Sequence, residues 1–123
     1  MPGITIVAYG GMADVVNSLL VNIFLETDLK PELIVPSLIS CLPIDIIAMS
    51  VERTGRLLVI EEGSAYAGLG AELITQVTEK TEEKIKTARI AAHPVPIPSV
   101  KSLEHTVLPD KERIIAEIKL RFT

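Results

Sequence analysis

With 123 residues and a hydrophobic share of 48%, the chain can build one domain around one core. A net charge of −4, no Trp, two Tyr and two Phe supply neither a basic surface nor stacking platforms, which argues against nucleic acid as a partner. No apolar run reaches the ~18 residues of a membrane span and no signal-type segment opens the chain, so a soluble, cytoplasmic protein without a membrane partner is expected.

Ile4-Thr5-Ile6-Val7-Ala8-Tyr9 is β-branched and apolar and stops at Gly10-Gly11, where the backbone can turn freely, so it reads as a first buried strand. From Met12 to about Thr27, Met12, Val16, Leu19, Leu20 and Ile23 fall on one helical stripe. Val21 and Leu25 stand on the opposite face, as scattered surface residues or as part of an interface. Asp28 to Pro31 read as a loop and Leu33-Ile34-Val35 as a second strand, cut short by Pro36 and so placed near a sheet edge.

A second helix is expected to start at Leu42-Pro43-Ile44-Asp45, with proline in its first turn, a stripe of Ile44, Ile47, Ala48 and Val51, and Gly55 ending it in the left-handed conformation. The lone Cys41 fits a reducing compartment and reads as a small core residue or one beside this helix start, in preference to a nucleophile. Arg56-Leu57-Leu58-Val59-Ile60 is an unbroken apolar strand closed by a turn at Glu61-Glu62-Gly63. Gly68-Leu69-Gly70-Ala71-Glu72 then opens a third helix that buries Gly70, Leu73, Ile74 and Val77.

Beyond the charged turn Thr81-Glu82-Glu83-Lys84, Thr87 to Ala92 forms a fourth, weaker strand. Pro94, Pro96 and Pro98 hold the next stretch extended. Asp110 caps a last helix that turns Ile114, Ile115, Ile118 and Phe122 inward. Strands alternating with helices predict an α/β fold, a three-layer α/β/α sandwich on a mostly parallel sheet, in one domain over residues 1–123.

In such sheets ligands and partners meet the loops beyond the carboxyl ends of the strands, which makes Gly10, Gly11, Glu61, Glu62, Gly63, Gly68 and Gly70 a candidate strand-end site. Gly10-Gly11 lacks both the dinucleotide-binding glycine spacing and a Walker lysine, so it reads as a tight turn. Gly68 and Gly70 could admit an anion to a helix start, or allow close helix–sheet packing. Glu61 and Glu62 have no nucleophile or metal cluster beside them, and a carboxylate that orders loop amides fits better than an acid/base pair. His93 and His105 are not at metal-ligand spacing. The residues by themselves name no reaction, and the expected catalytic and metal sets are empty.

Ile4 to Gly10, Leu42-Pro43-Ile44-Asp45, Thr54 to Gly63, Gly68 to Glu72 and Pro94-Val95-Pro96-Ile97-Pro98 follow one another as they do in the transketolase C-terminal domain family. More narrowly, the chain resembles the end of the beta subunit of the thiamine-dependent decarboxylating component of 2-oxo acid dehydrogenase complexes. The resemblance implies a part in oxidative decarboxylation of a 2-oxo acid, pyruvate or a branched-chain one, with acyl transfer to lipoyl groups. It also implies that thiamine diphosphate and magnesium are held by other domains, none being bound by this one, and that the chain is an excised or truncated piece.

Implied partners are the thiamine-binding domains or alpha subunit of the same enzyme and the dihydrolipoyl acyltransferase core, in a homo-oligomer or heterotetramer. The nearest docking candidates are the acidic turn Glu82-Glu83 and the carboxylate at Thr123. Two features depart from the family. Val35-Pro36-Ser37-Leu38 stands where relatives carry an Asp-Leu-Arg type sequence, and Met1-Pro2-Gly3 is too short for the antiparallel strand that usually precedes Ile4. The second strand is therefore expected to leave an unpaired edge. Two other readings stay open, the C-terminal domain of a transketolase or deoxyxylulose-phosphate synthase and an independent flavodoxin-like binder of a nucleotide or small anion.

Overall fold

The apolar runs that follow Gly3 and Arg56 lie side by side. In the computed structural model, which describes residues 2–37, 41–64, 69–92 and 110–123, β1 (Gly3–Ala8) pairs in parallel with β3 (Arg56–Ser64), Thr5 opposite Leu57 and Ala8 opposite Ile60. β2 (Lys30–Ile34) flanks β1 and β4 (Lys86–Ala92) flanks β3, so the described strands form a wholly parallel sheet in the order β2-β1-β3-β4. Parallel neighbours need crossovers, and α1 (Gly11–Thr27), α2 (Ile44–Thr54) and α3 (Leu69–Lys80) supply them, with α4 (Lys111–Phe122) following β4. The position of β2 at a sheet edge is the one expected from the sequence.

Alternation along the strands feeds two separate cores. Ile4, Ile6 and Ala8 of β1 and Leu58 and Ile60 of β3 face α1 and α4. Val7, Leu57 and Val59 face α2 and α3. All of these side chains are fully buried, which makes the sheet the middle of three layers. Gly55 ends α2 at φ 72°, and the Asp110 carboxylate accepts the Arg113 N–H at 2.8 Å to cap α4, both as expected.

Several boundaries differ from the sequence expectation. β2 begins at Lys30 and takes in Pro31, while Val35 lies outside it and is exposed. Lys30 donates its N–H to the Pro2 carbonyl, so alternate residues face β1 and the backbone of Pro31 and Leu33 faces away from the sheet. Proline is tolerated there because its missing N–H would have had no ladder partner, and it blunts this edge. Pro43 stands just ahead of α2, not in its first turn, and Cys41 is exposed before it and not in the core. Leu20, Ile74 and Ile115 are half-buried, each at the margin of its helix stripe. The Pro94 to Pro98 segment, His93 and His105 lie outside the described residues.

One polar seam crosses the α2 layer. Thr5, fully buried in β1, has its Oγ1 2.7 Å from Ser50 Oγ and 2.9 Å from Thr54 Oγ1. Ser50 gives its single proton to the Glu32 carboxylate, so Thr5 must donate to Ser50. Glu32 also accepts from Arg53 at 3.1 Å, which ties the edge strand to α2. The hydrogen bond from Ser50, followed by the Arg53 charge, holds the Glu32 carboxyl below the ordinary glutamate value of 4.5. Its stabilisation is therefore complete above that value and lost as pH falls through the lowered one. Ser50→Ala, which leaves Thr5 and Glu32 without their shared partner, is expected to cost about 1–3 kcal/mol in urea unfolding. Glu32→Gln should flatten the acid limb of the stability–pH curve.

Candidate functional site

β1 and β3 carry their side chains to the end of the sheet where the strand order reverses, the place at which parallel α/β sheets bind ligands. Tyr9 follows the last residue of β1, and Glu61 follows Ile60, whose partner in β1 is Ala8. The Tyr9 hydroxyl donates to Glu61 Oε1 at 2.7 Å. The amide of Gly70, second residue of α3, is shared between Oε1 at 3.3 Å and Oε2 at 3.2 Å. Glu61 is only 2% exposed, so these contacts stand in for water. A Cβ at position 70 would overlap Glu61 Oε2, and the close approach of α3 to the carboxylate depends on glycine there.

The sheet accommodates this with an irregularity. Ile60 faces Ile90 and Ser64 faces Ala92, so β3 spends more residues than β4 over the same stretch. Such a bulge re-aims side chains at a strand end. Glu61, Glu62 and Gly63 thus lie within β3 and not in a turn after it, because pairing with β4 resumes beyond them.

Gly10 and Gly11 stand beside this cluster. Gly10 adopts φ 64°, which a side chain would strain, and accepts the Ala13 N–H at 3.2 Å as α1 begins. No side chain caps this helix start. The structure therefore gathers Gly10, Gly11, Glu61 and Gly70 at one end of the sheet. The side chain of Glu62 and all of Gly68 lie outside the described residues. Sequence reasoning missed Tyr9, which reads as the last apolar residue of a strand. Burial, then the hydrogen bond to Glu61 and its charge, push the Tyr9 phenol well above its usual range, so it remains a donor at neutral pH.

At the opposite end of the sheet lies a pocket with a largely acidic rim. Val51, Gly55 and Ile85 floor a pocket of about 210 Å³ rimmed by Glu52, Glu82, Glu83 and Lys84. Glu82 and Glu83 are exposed. Thr123 follows α4, where Lys119 lies 3.9 Å from Glu26 near the end of α1, placing it at this same end but on the other face of the sheet. Val21 and Leu25 are 68% and 70% exposed on α1, and Val21 lines an open groove with Phe24 and Pro31 beside β2. Among the described residues no three His, Cys, Asp or Glu side chains converge as metal ligands, and no helix is long and apolar enough to cross a membrane.

Two substitutions probe the buried cluster. Tyr9→Phe leaves the Glu61 carboxylate short of a donor and is expected to cost about 1–3 kcal/mol in denaturant unfolding. The phenol's contribution is complete below its ordinary value of 10.0 and fades as pH rises through the elevated one. Difference ultraviolet titration of wild type against Tyr9→Phe should accordingly show Tyr9 ionising only in strong alkali. Gly70→Ala must push the carboxylate aside, with an expected loss of about 1–3 kcal/mol.

Comparison with known proteins places this architecture. The family model for the transketolase C-terminal domain matches residues 2–114. The pyruvate dehydrogenase E1 component subunit beta of Porphyra purpurea is 35% identical over 120 residues, 94% of this chain and 35% of that protein. The subunit of the same name from Staphylococcus epidermidis is 34% identical over 119 residues, again 94% of this chain and 36% of the relative. A solved structure described as a split gene transketolase, inactive beta4 tetramer, superposes with a TM-score of 0.83 at 19% identity, over 97% of this chain and 39% of that one. The chain thus spans little more than a third of these relatives. By the extent of the family match and the fold that accompanies it, the chain belongs to the transketolase C-terminal domain family.

Proposed function

We propose that this chain is the C-terminal domain of the beta subunit of a thiamine diphosphate-dependent 2-oxo acid dehydrogenase, of the pyruvate or branched-chain type, and that it serves assembly and docking. The observation that carries this reading is the similarity of 94% of the chain to a single region of pyruvate dehydrogenase E1 component beta subunits. Likeness to the split gene transketolase at 19% identity supports the fold and does not favour transketolase chemistry. The whole enzyme would decarboxylate a 2-oxo acid in the cytoplasm and pass the acyl group to a lipoyl group, with thiamine diphosphate supplying the carbanion chemistry.

One feature of the described residues supports a cofactor held elsewhere in the enzyme. The start of α3, where a diphosphate would find backbone donors, faces the protein's own Glu61 carboxylate. In this reading the cofactor is held by the thiamine-binding domains or alpha subunit, with which this domain associates in a homo-oligomer or heterotetramer. Val21 and Leu25, exposed on one face of α1, are the interface candidates.

For docking of the dihydrolipoyl acyltransferase, we favour the acid-rimmed pocket. Its apolar floor suits the stem of a basic side chain and Glu52, Glu82 and Glu83 suit its charge. Thr123 is a second candidate at the same end of the sheet. Because the rim acids are exposed, they should act mainly on association rate, and the interaction should weaken with salt.

Two measurements test the proposal. Calorimetry of this chain with thiamine diphosphate and magnesium should show no saturable heat, and micromolar binding would overturn the assignment. Reversal of Glu82 and Glu83 to Lys should slow association with the cognate subunit-binding module on the order of tenfold at low salt while leaving the fold intact. An unchanged rate would return those residues to ordinary solvated surface.

A further inference from the structure

We propose that Glu61 is an intramolecular ligand, a built-in anion that occupies the donor position at the start of α3 and closes that helix start to phosphate-type and carboxylate ligands. Three observations converge on the same carboxylate. Both of its oxygens lie within 3.3 Å of the Gly70 amide, which points out of the positive end of a helix. The Tyr9 hydroxyl, from a different strand, supplies a second donor to Oε1. Position 70 has no Cβ, and any side chain there would overlap Oε2, so the backbone comes as close to this group as it does to a bound anion in a glycine-lined site.

The geometry is thus that of an occupied anion site at the place where the β1–β3 reversal would put one. The difference is that the anion is covalently part of β3. A tethered carboxylate held at 2% exposure does not exchange with solutes, and a second anion would meet its charge at close range. The device also joins three segments, β1 through Tyr9, β3 through Glu61 and α3 through Gly70.

Removing the tether should convert the internal ligand into an external one. In Glu61→Ala the Gly70 amide and the Tyr9 hydroxyl keep their positions and the carboxylate volume is vacated. Sodium formate should then produce a saturable shift of the Gly70 amide resonance and raise the thermal midpoint by several degrees over sodium chloride at equal ionic strength. Wild type should respond to neither formate nor inorganic phosphate at that amide, with an affinity for formate weaker by at least about tenfold.

A wild-type Gly70 amide that titrates with phosphate or formate as readily as the variant would overturn the proposal, as would a folded Glu61→Ala that is indifferent to formate. Should Glu61→Ala fail to fold, Glu61→Gln decides, because it keeps the shape and removes the charge. Faster amide exchange at Gly70 than in wild type supports the anion role, and unchanged exchange contradicts it.

Discussion

The structure depends on one constraint, that β1 and β3 are buried on both faces. Ile4, Ile6 and Ala8 point into one helical layer and Val7 into the other, and Leu57 to Ile60 divide in the same way. Neither strand has a side that could be given to water, so a helix must cover each face, and the βα connections that make the sheet parallel deliver those helices. The unbroken apolar runs in the sequence are the direct record of this. Alternating polar residues would have signalled a sheet with one wet face.

A strand buried on both sides can hold a polar group only where the fold supplies its partners. Among the described side chains Thr5 and Glu61 are the two such positions in β1 and β3, and each joins a strand to the α2–α3 layer. Near the strand starts, Thr5 opens a chain of hydroxyls that ends on Glu32 and fixes the edge strand to α2. At the strand ends, Glu61 fixes α3 to the sheet. The consequence for function is an asymmetry between the two ends of the domain. The carboxylate at the strand ends is consumed internally, whereas Glu82 and Glu83 at the strand starts remain exposed around a pocket.

Most of the architecture was legible because it rests on periodicity. The stripe Met12, Val16, Leu19 and Ile23, the runs at Ile4 and Leu57, Gly55 after α2 and Asp110 before α4 each state a local rule that the tertiary structure obeys. Pro31 was misleading, since a proline ordinarily argues against a strand, and only the direction of the Lys30 N–H shows that position 31 faces away from the ladder. The end of β3 was misplaced because Glu61-Glu62-Gly63 has turn composition, and the pairing that resumes at Ser64 depends on a bulge against β4. The partners of Glu61 and Glu32 were invisible for a simpler reason. Tyr9 and Glu61, or Ser50 and Glu32, are far apart along the chain, and no local pattern records that the register of β1 with β3 or of β1 with β2 brings them together.

The central claim is that partners meet this domain at the strand-start pocket while the start of α3 is occupied by the protein's own Glu61. The most direct measurement is an amide chemical-shift map of the chain on addition of the subunit-binding module of the acyltransferase proposed as its partner. The account predicts shifts concentrated from Thr81 to Ile85 and at Glu52 and Gly55, with Gly10, Gly11 and Gly70 unmoved. Shifts centred on Gly10 and Gly70, with the acidic pocket silent, would contradict it.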